Sequence, residues 1–302
     1  MKISVLTPTY NRAHLLPRLY RSLTAQNADL EWVVVDDGST DDTPDVLAEL
    51  GAQAPFPVVH VRQERNAGKH VAYNRAVREA SGDLAGVVDS DDRLLPDALA
   101  TVGKEWKDIP AGSRELFSGV GGRCVTEDGL VGRPFAGGAP YLDGTWHELF
   151  YTHDRWEERV RFDRLEVLRR HLFPETGTPS FLPESLVWRQ VGGMLRYLDV
   201  PLRFYHLEGE DRLCRRPFAD MAAGRRVFYA TVLNEDLHRW WPYARARFAK
   251  WAAQYVRSGL HLGIPPVRQL RDLENRRARL LAAAALPLGT ALFLADRRAG
   301  PD

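Results

Sequence analysis

A chain of 302 residues is long enough to bury a sizeable core, and 44% hydrophobic with 27% charged residues is the composition of an ordinary globular protein rather than a disordered or fibrous one. The formal net charge of +1 excludes a molecule that binds nucleic acid through its overall charge. Two cysteines, Cys124 and Cys214, are too few for a disulfide framework or a cysteine-rich zinc site.

The chain opens on MKISVLTPTYN, which enters a strand-like run without a secretory signal pattern, so a cytoplasmic, reducing location is the expectation. Apolar runs follow at 3–7, 31–36, 57–61 and 84–89. Between them, Leu15, Leu16, Leu19 and Leu23 share one helix face. Val46, Leu47 and Leu50 form a shorter helix, and Ala72, Ala76, Val77 and Ala80 a third. Near-continuous apolar strands alternating with helices predict an α/β, Rossmann-like, mostly parallel sheet covered on both faces. Right-handed crossovers put every strand's C-terminal end on one edge, where open α/β sheets bind ligands. Three polar clusters sit at those ends: TPTYN (7–11), DDGSTDD (36–42) and DSDD (89–92).

Beyond residue 110, LFSGVGGRCV and LVGRPFAGGAPY read as a hairpin or irregular strands. PESLVWRQVGGMLRY (183–197) reads as a helix, DVPLRFYH (199–206) as a short strand, and 218–285 as all helical. Charge divides the chain. Residues 212–302 hold 17 Lys and Arg against 7 Asp and Glu, a net of +10, whereas 1–211 hold 24 against 33, a net of −9. The basic part therefore docks on an acidic body or on an anionic surface. The apolar run 280–295 has 16 residues, short of the roughly 20 that span a bilayer. Arginines flank it, which suits peripheral contact with a membrane or a helix packed on the protein. The basic amphipathic stretch 239–257 fits either arrangement, or a homo-oligomer interface.

The polar loops indicate chemistry. Asp89 and Asp91 alternate to the same side of an extended chain and suit a hard divalent cation, Mg²⁺ or Mn²⁺, that would bridge a diphosphate leaving group; the competing reading is a helix cap, with Asp97 in the first turn. Ser39 is the expected N-cap of the helix through Val46, with Asp42 as its partner. Asp36 closes a buried strand and needs a donor, such as a base N–H or ribose hydroxyl. Trp146, Trp156 and Trp188 are either core or platforms for a sugar ring. His153, His171 and His206 show no metal-ligand spacing.

Together, TPTYNR, VVVDDGSTDDT, NAGKHVAYNRA and VVDSDDRLLPDAL resemble the nucleotide-sugar-binding half of family 2 glycosyltransferases, closely over 1–105 and loosely over 106–215. The resemblance implies a GT-A catalytic domain over 1–215, with a nucleotide-sugar half (1–105) and an acceptor half (106–215), followed by a basic helical region at 216–302. It implies an inverting transfer from a nucleotide-sugar donor to a saccharide, lipid-linked or small-molecule acceptor, with no nucleic-acid partner. Pro8, Thr9, Tyr10, Asn11, Asp36, Asp37, Asn74 and Ser90 would line the nucleotide-sugar site, with Asp89 and Asp91 as the DxD pair on ribose and metal-bound diphosphate. The sequence departs from the common arginine-asparagine pair, having Tyr73 before Asn74; Lys69 either supplies the missing cation to a phosphate or is a solvated lysine at a helix start. A general base is needed, and the family's helix-start position points to Glu184, 93 residues after Asp91, with Glu210 and Asp211 as alternatives. The other readings are a sugar-1-phosphate nucleotidyltransferase, which the absence of glycine from TPTYNRAH disfavours, and a non-catalytic nucleotide-sugar-binding relative.

Overall fold

The computed structural model describes residues 1–155, 157–175, 181–207 and 216–299. Trp156, Glu210, Asp211 and Cys214 lie outside them. The chain forms two compact units. One comprises Met1–Pro179 with Arg189–Glu208; the other comprises Ser180–Trp188, which carries Glu184, with Gly209–Asp302.

In the first unit, β1 (Ile3–Thr9), β2 (Leu30–Asp36), β3 (Val58–Arg62) and β4 (Leu84–Val87) pair in parallel in the order β3-β2-β1-β4. Helices α1 (Leu16–Thr24), α2 (Thr43–Gln53) and α3 (Lys69–Glu79) connect them. Every residue of β1 and β2 is buried. Alternation sends Ile3, Val5, Trp32 and Val34 into a core shared with Leu16, Leu19 and Leu23 of α1. Over the opposite face packs α3, through Ala72, Ala76 and Val77, all without exposed surface.

The sheet continues with β5 (Arg93–Leu94), then α4 (Ala98–Asp108), β6 (Phe117–Thr126), β7 (Gly129–Leu130), β8 (Tyr141–Thr145), β9 (Arg159–Arg164), α5 (Leu165–Leu168) and β10 (Met194–Phe204). The order is β3-β2-β1-β4-β9-β6-β10-β5, with β7 on β6 and β8 on β10; β9 runs antiparallel to β4 and β6. The GVGG stretch is thus the middle of a 10-residue central strand, and the expected hairpin is confined to its end, where β7 pairs antiparallel with Val125 and Thr126. Its glycines are required by space: a Cβ at Gly119 would stand 2.0 Å from the Phe162 carbonyl oxygen. The helix expected over 183–197 shrinks to α6 (Ser185–Trp188). Gly193, at φ 92°, breaks it, and the residues from Met194 onward join the sheet.

The second unit is helical: α6, α7 (Ala222–Thr231), α8 (Leu237–His261), α9 (Pro266–Asp272), α10 (Arg276–Ala284) and α11 (Leu286–Ala299). A π-helical turn over Val232–Asp236 joins α7 to α8, and α8 kinks just after Pro242. The Asn275 side chain caps α10, accepting from the N–H groups of Arg277 and Ala278. No single helix among the described residues is long and apolar enough to cross a membrane.

Candidate active site

The three polar clusters meet at one sheet edge because β1, β2 and β4 are parallel neighbours. Beyond β4 the Val88 N–H still bonds to the Leu6 carbonyl, 3.0 Å, and the Val88 carbonyl accepts from Thr7 Oγ1, 2.9 Å. The chain then turns, with the Asp92 N–H on the Asp89 carbonyl at 3.0 Å. The turn, rather than strand alternation, gathers the acids, and it gathers three: oxygens of Asp89, Asp91 and Asp92 lie within 4.8 Å of one another.

Each acid has a different environment. Lys69 Nζ lies 2.7 Å from Asp89 Oδ1 and 2.8 Å from Oδ2, so the lysine is partly exposed but paired with the acid cluster. Desolvation alone would raise the Asp89 carboxyl, but Lys69, with Arg203 and Arg12, holds it below the ordinary range. Asp91 is partly exposed, with Arg12 Nη1 3.7 Å from its Oδ2 and Arg18 donating to its backbone carbonyl. Asp92 has no exposed surface. It does not cap a helix: α4 begins only at Ala98, after Asp97 in a left-handed conformation. Instead, its Oδ1 accepts from the His206 N–H, 3.2 Å, and Arg203 Nη1 lies 3.4 Å from Oδ2. Burial lifts the Asp92 carboxyl to about 8; Arg203 opposes the rise, while Asp89 and Asp91 add to it. Three hard oxygen donors that repel one another, two of them with an oxygen that accepts no hydrogen bond among the described residues, fit a divalent cation.

Arg203 and His206 are functional-site candidates that the sequence reading did not single out for this role. Arg203 lies near the end of β10 and His206 just beyond it, both more than a hundred residues from the acid they contact, Asp92. Arg203 also pairs with Glu158 and contacts the buried Cys124 sulfur, whose thiol desolvation pushes up to about 11. His206 Nδ1 lies 3.2 Å from Glu127, and its Nε2 is buried without a hydrogen bond among the described residues.

At the ends of β1 and β2, Thr9 pairs in register with Asp36. Asp36 Oδ1 accepts from the Ser39 N–H, 2.8 Å, while Oδ2 and the Thr9 hydroxyl are both buried without a hydrogen bond among the described residues; Arg62 Nε stands 3.6 Å from Oδ2. Pro8 is buried beside Val35 within β1, and Tyr10 is 40% exposed at the strand's end. Asn11, in the left-handed conformation that Asn tolerates, bonds through Oδ1 to the Thr40 N–H at 2.8 Å and through its own N–H to Ser39 Oγ at 2.9 Å. Ser39 therefore ties two loops together; the N-cap position of α2 belongs to Asp42.

The carboxylate of Asp37 organises the neighbouring loop. It accepts from Gln63 Nε2 and from the N–H groups of Ala67 and Gly68, at 2.8–2.9 Å. Burial raises its carboxyl despite these bonds. Gly68, at φ 101°, lets the chain turn so that α3 begins at Lys69. On α3, Asn74 is fully buried and pins Phe173 by two hydrogen bonds of 2.9 Å, and the ring of Tyr73 meets Phe173 edge-on. Ser90 is buried in the acidic turn. Glu184 occupies the start of α6 in the second unit, its carbonyl accepting from Val187 and Trp188. The Trp146 ring is buried and stacks on Phe150 at 4.5 Å.

A mostly parallel sheet with a carboxylate turn after its fourth strand fits the GT-A fold of glycosyltransferases. The family model described as "Glycosyl transferase family 2" matches residues 4–175, more than half of the chain, and the chain belongs to that family of enzymes. The GalNAc(5)-diNAcBac-PP-undecaprenol beta-1,3-glucosyltransferase of Campylobacter jejuni is 33% identical over 138 residues, which is 45% of this chain and 42% of that one. The dolichol-phosphate mannosyltransferase of Pyrococcus furiosus is 35% identical over 125 residues, 39% of this chain and 35% of that one. The chain thus spans well under half the length of these curated relatives. Among solved structures, S. aureus TarS 1-349 is similar over 99% of this chain and 92% of its own, with a TM-score of 0.60 at 19% identity. The mannosyltransferase PcManGT from Pyrobaculum calidifontis, in complex with GDP-Man and Mn²⁺, covers 97% of this chain and 86% of its own, with a TM-score of 0.53 at 18% identity. These likenesses are of fold.

Proposed function

We propose that the enzyme moves a sugar from a nucleoside-diphosphate sugar to an acceptor hydroxyl, with inversion at the anomeric carbon. The observation that carries this reading is the pair of unsatisfied buried atoms, Thr9 Oγ1 and Asp36 Oδ2, on the strand ends beside the Asp89–Asp92 turn. Buried polar atoms call for partners, and a nucleoside offers both N–H and hydroxyl donors. Pro8, Tyr10 and Asn11 shape the same edge, while Asp37 and Asn74 hold the loops that frame it.

In this reading Asp89 and Asp91, with Asp92 behind them, hold a divalent cation, Mg²⁺ or Mn²⁺. When bound, that cation neutralises the diphosphate as it departs. The Mn²⁺ in the PcManGT complex supports the assignment. Lys69 moves from Asp89 to a phosphate oxygen, and Arg203 neutralises the acid cluster from behind. Glu184 accepts the proton of the acceptor hydroxyl, which is too weak a nucleophile at neutral pH without a base. A lipid-linked acceptor has the support of the Campylobacter relative's name; saccharide and small-molecule hydroxyls are the other classes the same chemistry serves. Work on a lipid-linked acceptor goes with a place at the cytoplasmic face of a membrane.

The test is thermal shift with a panel of nucleoside diphosphates and nucleotide sugars, with and without Mn²⁺. Stabilisation by one nucleotide, dependent on the metal and lost in Asp91→Asn, is the expected result. A flat response to the whole panel overturns the reading.

A further inference from the structure

A helix on a soluble surface buries its large apolar side chains and turns charged ones outward. Helices α10 and α11 instead bury small residues and leave several leucines outward. Both pack on α8, and their fully buried positions are small: Ala278 and Ala282 have no exposed surface, and a Cβ at Gly289 would come 2.6 Å from Val256 Cβ. Outward stand Leu280, Leu288 and Leu294, at 73%, 56% and 46% exposure. Ala284, Ala291 and Ala295 are exposed at helical spacing with them, so each helix presents an apolar stripe away from the protein.

The exposed charges carried by α10 and α11 have one sign. Arg276, Arg277, Arg297 and Arg298 are exposed at its two ends. The single acid between Arg276 and Arg298 is Asp296, and it is turned inward, held by the Arg257 guanidinium and by His261 Nε2 at 2.7 Å. No carboxylate in this stretch therefore opposes an anionic partner.

We infer that the outward face of α10 and α11 docks on an anionic lipid bilayer. The two helices meet at 56° and run 9 and 14 residues. Singly they are about 14 and 21 Å long, against a hydrocarbon core of about 30 Å, and only the bent pair together has the length and composition of a span. They lie in the interface with leucines in the acyl region and arginines among the headgroups. A second copy of the chain is a poorer occupant, because a two-fold pairing of this face sets arginine ends against arginine ends. The inference is independent of the proposed transfer reaction.

The test uses the full chain with vesicles of phosphatidylcholine, alone or mixed with phosphatidylglycerol. The chain sediments with the mixed vesicles at low salt and not with phosphatidylcholine alone, and its affinity falls about tenfold or more at high salt. The triple variant L280S/L288S/L294S keeps its melting temperature and its thermal response to nucleotide, because the sites are exposed, and binds the mixed vesicles about a hundredfold more weakly. Two results overturn the inference. One is a chain that stays in the supernatant with anionic vesicles at low salt. The other is a triple variant that binds vesicles normally yet turns from dimer to monomer, which assigns the face to a second copy.

Discussion

Glu31 offers a quantitative test of how the catalytic sheet is held at the end away from the site. Its carboxylate accepts from Lys2 Nζ at 2.9 Å, Ser4 Oγ at 2.6 Å, the Ser81 N–H at 2.5 Å and Ser81 Oγ at 2.7 Å, so it ties β1, β2 and the approach to β4 together. Burial would raise this carboxyl, but the hydrogen bonds from Ser4, Ser81 and Lys2 outweigh burial and lower it from 4.5 to about 2. That displacement corresponds to about 3.4 kcal/mol. Lys2 is 31% exposed, and solvent screening brings the expected contribution to about 2 kcal/mol. Because the folded carboxyl titrates below the unfolded one, the stabilisation is complete above pH 4.5 and is lost as pH falls through about 2. Glu31→Gln at pH 7 is therefore expected to lower the urea midpoint by about 0.8 M, at a slope of about 2.5 kcal/mol/M. Near pH 3 the difference falls below half of that value. Hydrogen exchange of the β1 and β2 amides along the titration reads this unit apart from the helical one. An equal midpoint shift at both pH values would refute the reasoning, since a pH-independent loss cannot come from the charge.

Glu184→Gln is expected to bind nucleoside diphosphate with unchanged affinity by calorimetry while transfer falls about 10²-fold or more; undiminished turnover removes Glu184 from the mechanism. Asp37→Ala strips a buried acceptor from the Ala67 and Gly68 N–H groups. It should cost about 2–4 kcal/mol in thermal unfolding and weaken diphosphate binding by loosening the approach to Lys69. Normal stability with normal binding would show that the loop holds itself. Gly119→Ala, with its Cβ 2.0 Å from the Phe162 oxygen, should part β6 from β9 at a cost of about 3 kcal/mol or more. Gly112→Ala, where nothing lies within 4 Å, is the control and should melt no earlier than the parent chain.

The first hundred residues were legible because their signals are local. Apolar runs and helix-face spacings placed four strands and three helices within a few residues of where they lie, and parallel order then placed the polar clusters on one edge. Local signals failed where two structures compete over the same residues. The stretch 183–197 carries a helical pattern at its start and strand residues at its end, and Gly192–Gly193 decides between them only once β6 is there to receive Met194 and Leu195. The same holds for Ser39. Its spacing suits a cap, yet the Asn11 N–H, brought beside it by β1–β2 pairing, takes its hydroxyl.

The acidic turn itself shows the division most clearly. Local signals alone put Asp89, Asp91 and Asp92 after a buried strand at a ligand-binding edge, because strand burial and crossover handedness are properties of short segments. What each acid does was decided by tertiary structure. Asp89 meets Lys69 from the next helix back, Asp91 meets Arg12 from the first loop, and Asp92 is sealed against Arg203 and His206 from β10. A carboxylate's charge state and orientation depend on burial and on the cations and donors beside it, and those partners come from segments 20 to 114 residues away. Likewise, the leucines of 280–294 were visible as an apolar run, but only the packing of small residues on α8 turned them outward.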